Sequence, residues 1–204
     1  MKIQDNLNVP KQNQGASHDT HEKRCFDNAQ LAQEFFEIAK NRLLNINHWK
    51  EIAGELGSEF KLLKKDGEHI NRNPEMGDFV QISVPGLSNP TADGHDYVQV
   101  MEVHESQTPQ PKISFTVRPC SNPKVEEDRE IAHFYGLYAT STFAVQLQDN
   151  CVIASVHGRN ELPQTTVEGF TEKLRNALVA VGGILGAGKI QWKLLTAGVL
   201  QEID

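Results

Sequence analysis

Five consecutive residues, His157-Gly158-Arg159-Asn160-Glu161, place an imidazole, a guanidinium and a carboxylate within one short stretch. Such a set suits two chemistries. A histidine titrates near neutral pH and, held by an orienting carboxylate, can act as a general base. An arginine beside a helix N-terminus can grip a carboxylate or phosphate through two parallel N–H bonds. His95, Arg118 and His133 are candidates of the same kind elsewhere in the chain. The competing reading is a wet loop, polar because its backbone is solvated, in which Arg and Glu form only surface ion pairs. His18 and His21 stand in an H-x-x-H spacing, but two imidazoles make half a metal site, so no metal is expected there.

Other motifs are refused. Residues 183–189, GILGAGK, match a phosphate-binding loop up to its last letter, where Ile190 replaces the Ser or Thr that ligates Mg²⁺. A helical pattern precedes these glycines, whereas a phosphate loop follows a buried strand. They read instead as a helix break, with Lys189 carrying no role. No G-x-S-x-G elbow is present, and no Cys adjoins a His. Cys25, Cys120 and Cys151 are odd in number and fit no C-x-x-C spacing, so neither a disulfide framework nor structural zinc is expected. No cofactor is implied.

Composition narrows the class. The 204 residues carry 20 Lys+Arg against 27 Asp+Glu, a formal charge of −7, with no basic block. Nucleic acid is a poor partner for such a chain, because phosphate neutralisation needs clustered cations. No apolar run approaches the ~18 residues of a membrane span. The first 24 residues lack the apolar stretch of a signal peptide. A reducing cytoplasm is the expected compartment. Residues 1–25 are mostly polar and read as a mobile extension that cannot offset its ordering entropy. Residues 26–204 then form a single domain.

The elements that must position these groups follow from periodicity. Asp27, with Gln30 three residues on and Phe26 facing Leu31, predicts a helix start. Leu31, Phe35, Ile38, Ala39 and Leu43 carry a helix over 28–45, and a second, short one covers 48–56. Strands follow near 60–64, 80–84, 97–104, 113–118, 143–147 and 152–157, the last two joined at Gln148-Asp149-Asn150. Thr165 and Glu168 open a long helix over about 166–182, and a further helix covers 189–202. The expected fold is α+β: an antiparallel sheet of about six strands with two N-terminal helices and a long C-terminal helix.

This element order resembles the START-like helix-grip domains over roughly residues 28–182. The resemblance implies a curved sheet wrapped round a long helix, with a ligand cavity between them. Those domains usually begin with a strand before the first helix pair, where this chain has its polar extension. Antiparallel succession brings the strands ending at Val84, Arg118 and His157 to one end of the sheet. His95, Asp93, Asp96, Asn122, His133, Arg159, Asn160 and Glu161 lie in the connections that leave that end. Arg118 and His157 share a parity against the apolar positions of their strands, so they point to the same side. A polar face of this kind would be solvated if helices cover only the other face.

Three functions are compatible with these features. One is a binding domain for a small, partly apolar or anionic molecule between sheet and C-terminal helix, with Arg118, His133, His157, Arg159, Glu161 and His95 as candidate contacts. Another is an enzyme of hydrolase or lyase type, using His157 or His133 as base and Arg118 or Arg159 as anion holder. The third is an interaction or homodimer module that docks through Trp192 and Leu195 of helix 189–202.

Overall fold

The structure is a computed structural model describing residues 7–54, 58–83, 94–125, 133, 135–162 and 184–202. The expected helix over 166–182, its start at Thr165, and Asp93 lie outside the described residues. Seven strands form one antiparallel sheet: β1 (Ala16–Cys25), β2 (Glu59–Leu63), β3 (Phe79–Ser83), β4 (Asp96–Ser106), β5 (Lys112–Pro119), β6 (Thr140–Gln148) and β7 (Cys151–Glu161). Their order across the sheet is β1-β7-β6-β5-β4-β3-β2. Helices α1 (Ala29–Leu44) and α2 (Trp49–Ala53) sit between β1 and β2, and α3 (Ile184–Val199) follows β7. The class is α+β, as expected. Among the described residues no helix is long and apolar enough to cross a membrane.

The seventh strand is the main correction. Residues 16–25, read as part of a mobile extension, form edge strand β1, paired antiparallel to β7 from Ala16↔Glu161 to Cys25↔Cys151. Polar residues make a strand here because partner hydrogen bonds and cross-strand pairs, rather than apolar burial, hold it. The last pair is covalent: Cys25 and Cys151 form a disulfide with Cα atoms 4.0 Å apart. Sequence spacing hid it, since 126 residues separate the two and only strand register brings them opposite. The expectation of a chain without disulfides is overturned, and the cytoplasmic assignment loses its ground.

The core lies on one face of the sheet, called inner here. Alternate residues Phe60 and Leu62, Val80 and Ile82, Val98 and Val100, Phe115 and Val117, Phe143 and Val145, Ala154 and Val156 point into it. Helix α1 adds Ala32, Phe35, Phe36, Ala39 and Leu43, an i, i+3, i+4, i+7 face that shares Phe35, Ala39 and Leu43 with the expected stripe but has Ala32 and Phe36 in place of Leu31 and Ile38. Trp49 sits at the centre, with ring centroids 5.0 Å from Phe60, 4.9 Å from Phe143 and 6.0 Å from Phe115. Full burial of each such side chain contributes roughly 1.5–3 kcal/mol.

The start of α1 differs by one residue from the expected box. Asn28 is the N-cap, with extended backbone (φ −148°, ψ 165°), and its Oδ1 accepts the Leu31 N–H at 2.9 Å. Leu31 is 43% exposed, while Phe26 packs on Phe35 at 4.9 Å. At the far end, α3 includes Ile184–Val199, so Gly186, Gly188 and Lys189 are helical rather than a break or a phosphate loop. The apolar stripe of α3 is spent internally. Leu195, Val199 and Leu200 are buried in the core, and Trp192 packs on Phe143 at 5.1 Å. That removes the exposed stripe on which docking through Trp192 and Leu195 rested. The C-terminal carbonyls of this segment accept from two arginines: Arg42 donates to Val199 and Gln201, and Arg24 to Leu200. A cation at this end is where the helix dipole favours it.

The outer face of the sheet is polar, as the alternation predicted, yet it is not solvated. Ser114, Thr116, Thr142 and Ser155 are all 3% exposed or less. The segment leading into β1 crosses this face. Fully buried Leu7 accepts from Ser114 on β5 through its carbonyl. Residues 11–14 are then gripped by Asn160 at the end of β7. Its Oδ1 accepts the N–H groups of Asn13 and Gln14, and its Nδ2 donates to the Lys11 carbonyl.

Candidate functional site

Strands β3, β5 and β7 run parallel to one another in this order, so Ser83, Pro119 and Glu161 end on the same side, as expected. What the sheet does next divides the candidates. Successive side chains of a strand alternate between faces. His157 and Arg159 therefore lie on the outer face, with Arg118 on β5 at matching parity. Glu161 should join them, but Asn160 adopts φ +56°. That left-handed residue breaks the alternation and turns Glu161 to the inner side. The dense five-residue cluster thus becomes parts of two separate groups, and β1 supplies one residue to each.

The outer group is built on Asp19. Its carboxylate accepts from His157 Nδ1 at 2.6 Å and from Arg159 Nη2 at 2.9 Å. The Ser155 hydroxyl lies 3.0 Å from His157 Nε2. Arg159 also donates to the carbonyls of His18 and Gly158. Burial lowers the His157 pKa more than the Asp19 contact raises it. Burial would raise the Asp19 carboxyl, but hydrogen bonds from His157 and Arg159 outweigh it and hold the pKa below the ordinary value. With His157 neutral, Nδ1 donates to Asp19 and Nε2 accepts from Ser155. The order serine–histidine–aspartate is that of a nucleophile relay. Ser155 is only 1% exposed, however, so no substrate carbonyl reaches its Oγ in this arrangement. The array ties edge strand β1 to β7.

The inner face of the sheet borders a cavity. Trp49, Phe60, Phe115, Phe143 and Trp192 line it together with Val80, Ile82, Val98 and Val117, and His133 and Ser141 are its polar members. The cavity volume is about 30 Å³, on the scale of one or two water molecules, and it opens to solvent. His133 Nδ1 accepts the Tyr135 N–H at 3.0 Å, which leaves the ring hydrogen on Nε2. Burial lowers its pKa to about 3, so this imidazole is neutral at physiological pH. Tyr135 is pushed up, first by burial and then by the Glu161 carboxylate.

Ser141 leads to the rest of the inner group. It pairs with Gly158 across β6 and β7, and Gly158 pairs with His18 across β7 and β1. A Cβ on Gly158 would fall on the His18 ring and on Glu161 Oε1. The imidazole therefore lies on the inner face beside Ser141. Its Nδ1 faces both Glu161 oxygens, at 2.9 and 3.1 Å, and both side chains are almost wholly buried.

The six predicted residues thus scatter. His133 lines the cavity, and Glu161 pairs with His18 on the inner face of the sheet. His157, Arg159 and Arg118 lie on the other face, and His95 sits at the β3–β4 end, its Nδ1 2.9 Å from Ser83 Oγ. Sequence reading missed Asp19 and His18, which it placed in a tail, and both cavity tryptophans. His18 and His21 take no common ligand, since strand alternation sets them on opposite faces. Among the described residues no three His, Cys, Asp or Glu gather for a metal.

No family model matches the chain, and no curated protein matches it. Several solved structures align over most of its length. A hypothetical protein from Helicobacter pylori aligns with a TM-score of 0.46 and 12% identity, over 89% of this chain and 84% of that one. Norcoclaurine synthase from Thalictrum flavum, in truncated form, gives 0.40 and 11%, over 95% and 100%. The extracellular domain of PknH from Mycobacterium tuberculosis gives 0.36 and 12%, over 90% and 60%. The fold class rests on the strand order and register above.

Proposed function

We propose that the chain binds a small, neutral, largely aromatic molecule in the cavity between the inner sheet face and the helices. One observation carries this reading: five aromatic rings and four aliphatic side chains converge on unfilled space whose polar members are one neutral histidine and one serine. A well-packed core closes such space, because empty volume costs roughly 24 cal/mol per Å³. The lining also narrows the ligand class. Arg118 and Arg159 are on the opposite face, and no cation lines the cavity among the described residues. An anion there would be buried without a partner, which favours the partly apolar ligand over the anionic one. Binding is preferred to catalysis because the ordered serine–histidine–aspartate array is sealed.

Both tryptophans of the chain line the cavity, so intrinsic fluorescence reports occupancy directly. Titration with the neutral probe N-phenyl-1-naphthylamine should quench this emission to saturation. Val117→Phe, which fills the cavity from the sheet side, should abolish the quench while the protein remains folded. Absence of binding, or equal binding by the folded variant, overturns the reading. Native mass spectrometry of freshly purified protein should show a co-purifying small neutral molecule.

A further inference from the structure

Strands β1 and β2 form the two edges of the sheet, and they are finished differently. The β2 edge is covered by the chain itself. Asn47 Oδ1 accepts the Leu62 N–H, the Leu62 carbonyl accepts the Ile70 N–H, and Leu63 bridges to His69. Among the described residues no strand pairs with the open side of β1. The phase of the β1–β7 ladder tells which groups lie there. Just beyond β1 the Phe26 N–H donates to the Asn150 carbonyl. The next pair, Cys25 and Cys151, has the short Cα separation, 4.0 Å, of a non-hydrogen-bonded pair. Bonded and non-bonded pairs alternate along an antiparallel ladder, and the register is unbroken from Cys25 back to His18. Asp19, His21 and Lys23 therefore turn their backbone N–H and C=O groups to the open side. All three residues are exposed and share the outer face.

We propose that this edge is the interface of a homodimer, in which β1 pairs antiparallel with β1 of a second copy and the two sheets become one. Identical strands joined in this way are related by a two-fold axis, so the contact closes at two copies. Charge selects both the occupant and the register. Natural edges are blunted by proline, by bulges, or by charges that repel when like strands meet. From His18 to Cys25 this edge has no proline and no bulge, and its charges attract their own copies. With the axis at His21, Asp19 of each copy stands opposite Lys23 of the other, on the same face, and opposite charges so placed stabilise a pair of strands. The backbone phase agrees. Residues directly opposite exchange N–H···O=C bonds when both turn these groups to the partner strand, as Asp19, His21 and Lys23 do. The Asp19 carboxylate already accepts from His157 and Arg159, and its two oxygens carry lone pairs enough for an ammonium as well. No ion pair among the described residues engages Lys23. The interface is independent of what the cavity binds.

The test is analytical ultracentrifugation of the full chain over a range of micromolar concentrations, with two variants. The unaltered protein should sediment with twice the mass of one chain. His21→Pro removes an N–H that points away from β7, a place where an edge strand tolerates proline, so β1 keeps its own ladder while the pairing across the axis is lost. This variant should be folded and monomeric. Lys23→Glu sets like charges opposite each other at both Asp19 positions and should weaken the dimer by at least about tenfold. Hydrogen exchange should show the His21 and Lys23 amides protected in the unaltered protein, and the Lys23 amide unprotected in His21→Pro. A monomer at every concentration overturns the proposal, including one whose β1 edge takes up a strand of another protein. A dimer that survives in folded His21→Pro places the interface elsewhere and overturns it too. Should His21→Pro not fold, Lys23→Glu decides, since an unchanged dissociation constant there overturns the register.

Discussion

The imidazole of His18 occupies the space that a side chain at Gly158 would need, and Glu161 holds it there through Nδ1 at 2.9 Å. A residue outside the expected domain thus packs on a residue of the expected site. Gly158→Ala should cost about 1–3 kcal/mol, the usual penalty of overpacking a buried position. The cost should fall sharply in a His18→Ala background, because the clashing ring is then gone. Thermal denaturation of the two single variants and the double variant closes the cycle. Additive losses would mean that the ring does not lie over Gly158.

The Cys25–Cys151 bond joins positions 126 residues apart. Closing so long a loop restrains the unfolded chain, and its removal should cost about 2–4 kcal/mol. Denatured, unreduced protein should show one reactive thiol, Cys120, and three after reduction. Cys25→Ser should lower the midpoint of urea unfolding and free the Cys151 thiol. Three thiols in protein purified without reductant would contradict the pairing.

Stability should decline as pH falls from neutral towards 4. His133 has its pKa depressed to about 3 against an unfolded value of 6.5. His157 is depressed in the same direction. Between the two values the unfolded chain binds protons that the native protein refuses, so acid favours unfolding. Each group contributes up to about 1.4 kcal/mol per pH unit inside its window. Asp19, also depressed, adds to the loss only below about its unfolded value of 3.8. Unfolding midpoints measured between pH 7 and 4 should show this slope, and His133→Gln should flatten it. A stability that rises on acidification would refute the buried neutral state.

Asn160 should control the segment that crosses the outer face. Asn160→Gly preserves the positive φ but removes the side-chain bonds to Lys11, Asn13 and Gln14. Trypsin should then cut after Lys11 markedly faster than in the unaltered protein, read by mass spectrometry. Asn160→Ala should add about 1 kcal/mol of backbone strain on top, since a Cβ residue resists this conformation. Unchanged cleavage would mean that the clamp does not hold the segment.

Local patterns in the sequence determined the α+β class, the face of α1, six of the seven strands and the common end at which β3, β5 and β7 finish. Those signals are written in near neighbours: periods of 3.6 and 2, turn residues, apolar runs. Even His133 and Glu161 were legible as polar groups at that end, although the place of His133 in the cavity lining was not. Tertiary structure alone decided the rest. Strand β1 has no apolar alternation to announce it, because β7 and a distant cysteine stabilise it rather than its own burial. The cluster at 157–161 is compact in sequence but divided in space, since a sheet sends alternate side chains to opposite faces and one left-handed residue, Asn160, reverses the rule for Glu161. His18 and Asp19 are neighbours in the chain and serve opposite faces for the same reason. Which residues meet across the sheet is a matter of register between positions more than a hundred residues apart, and only the folded chain sets that register.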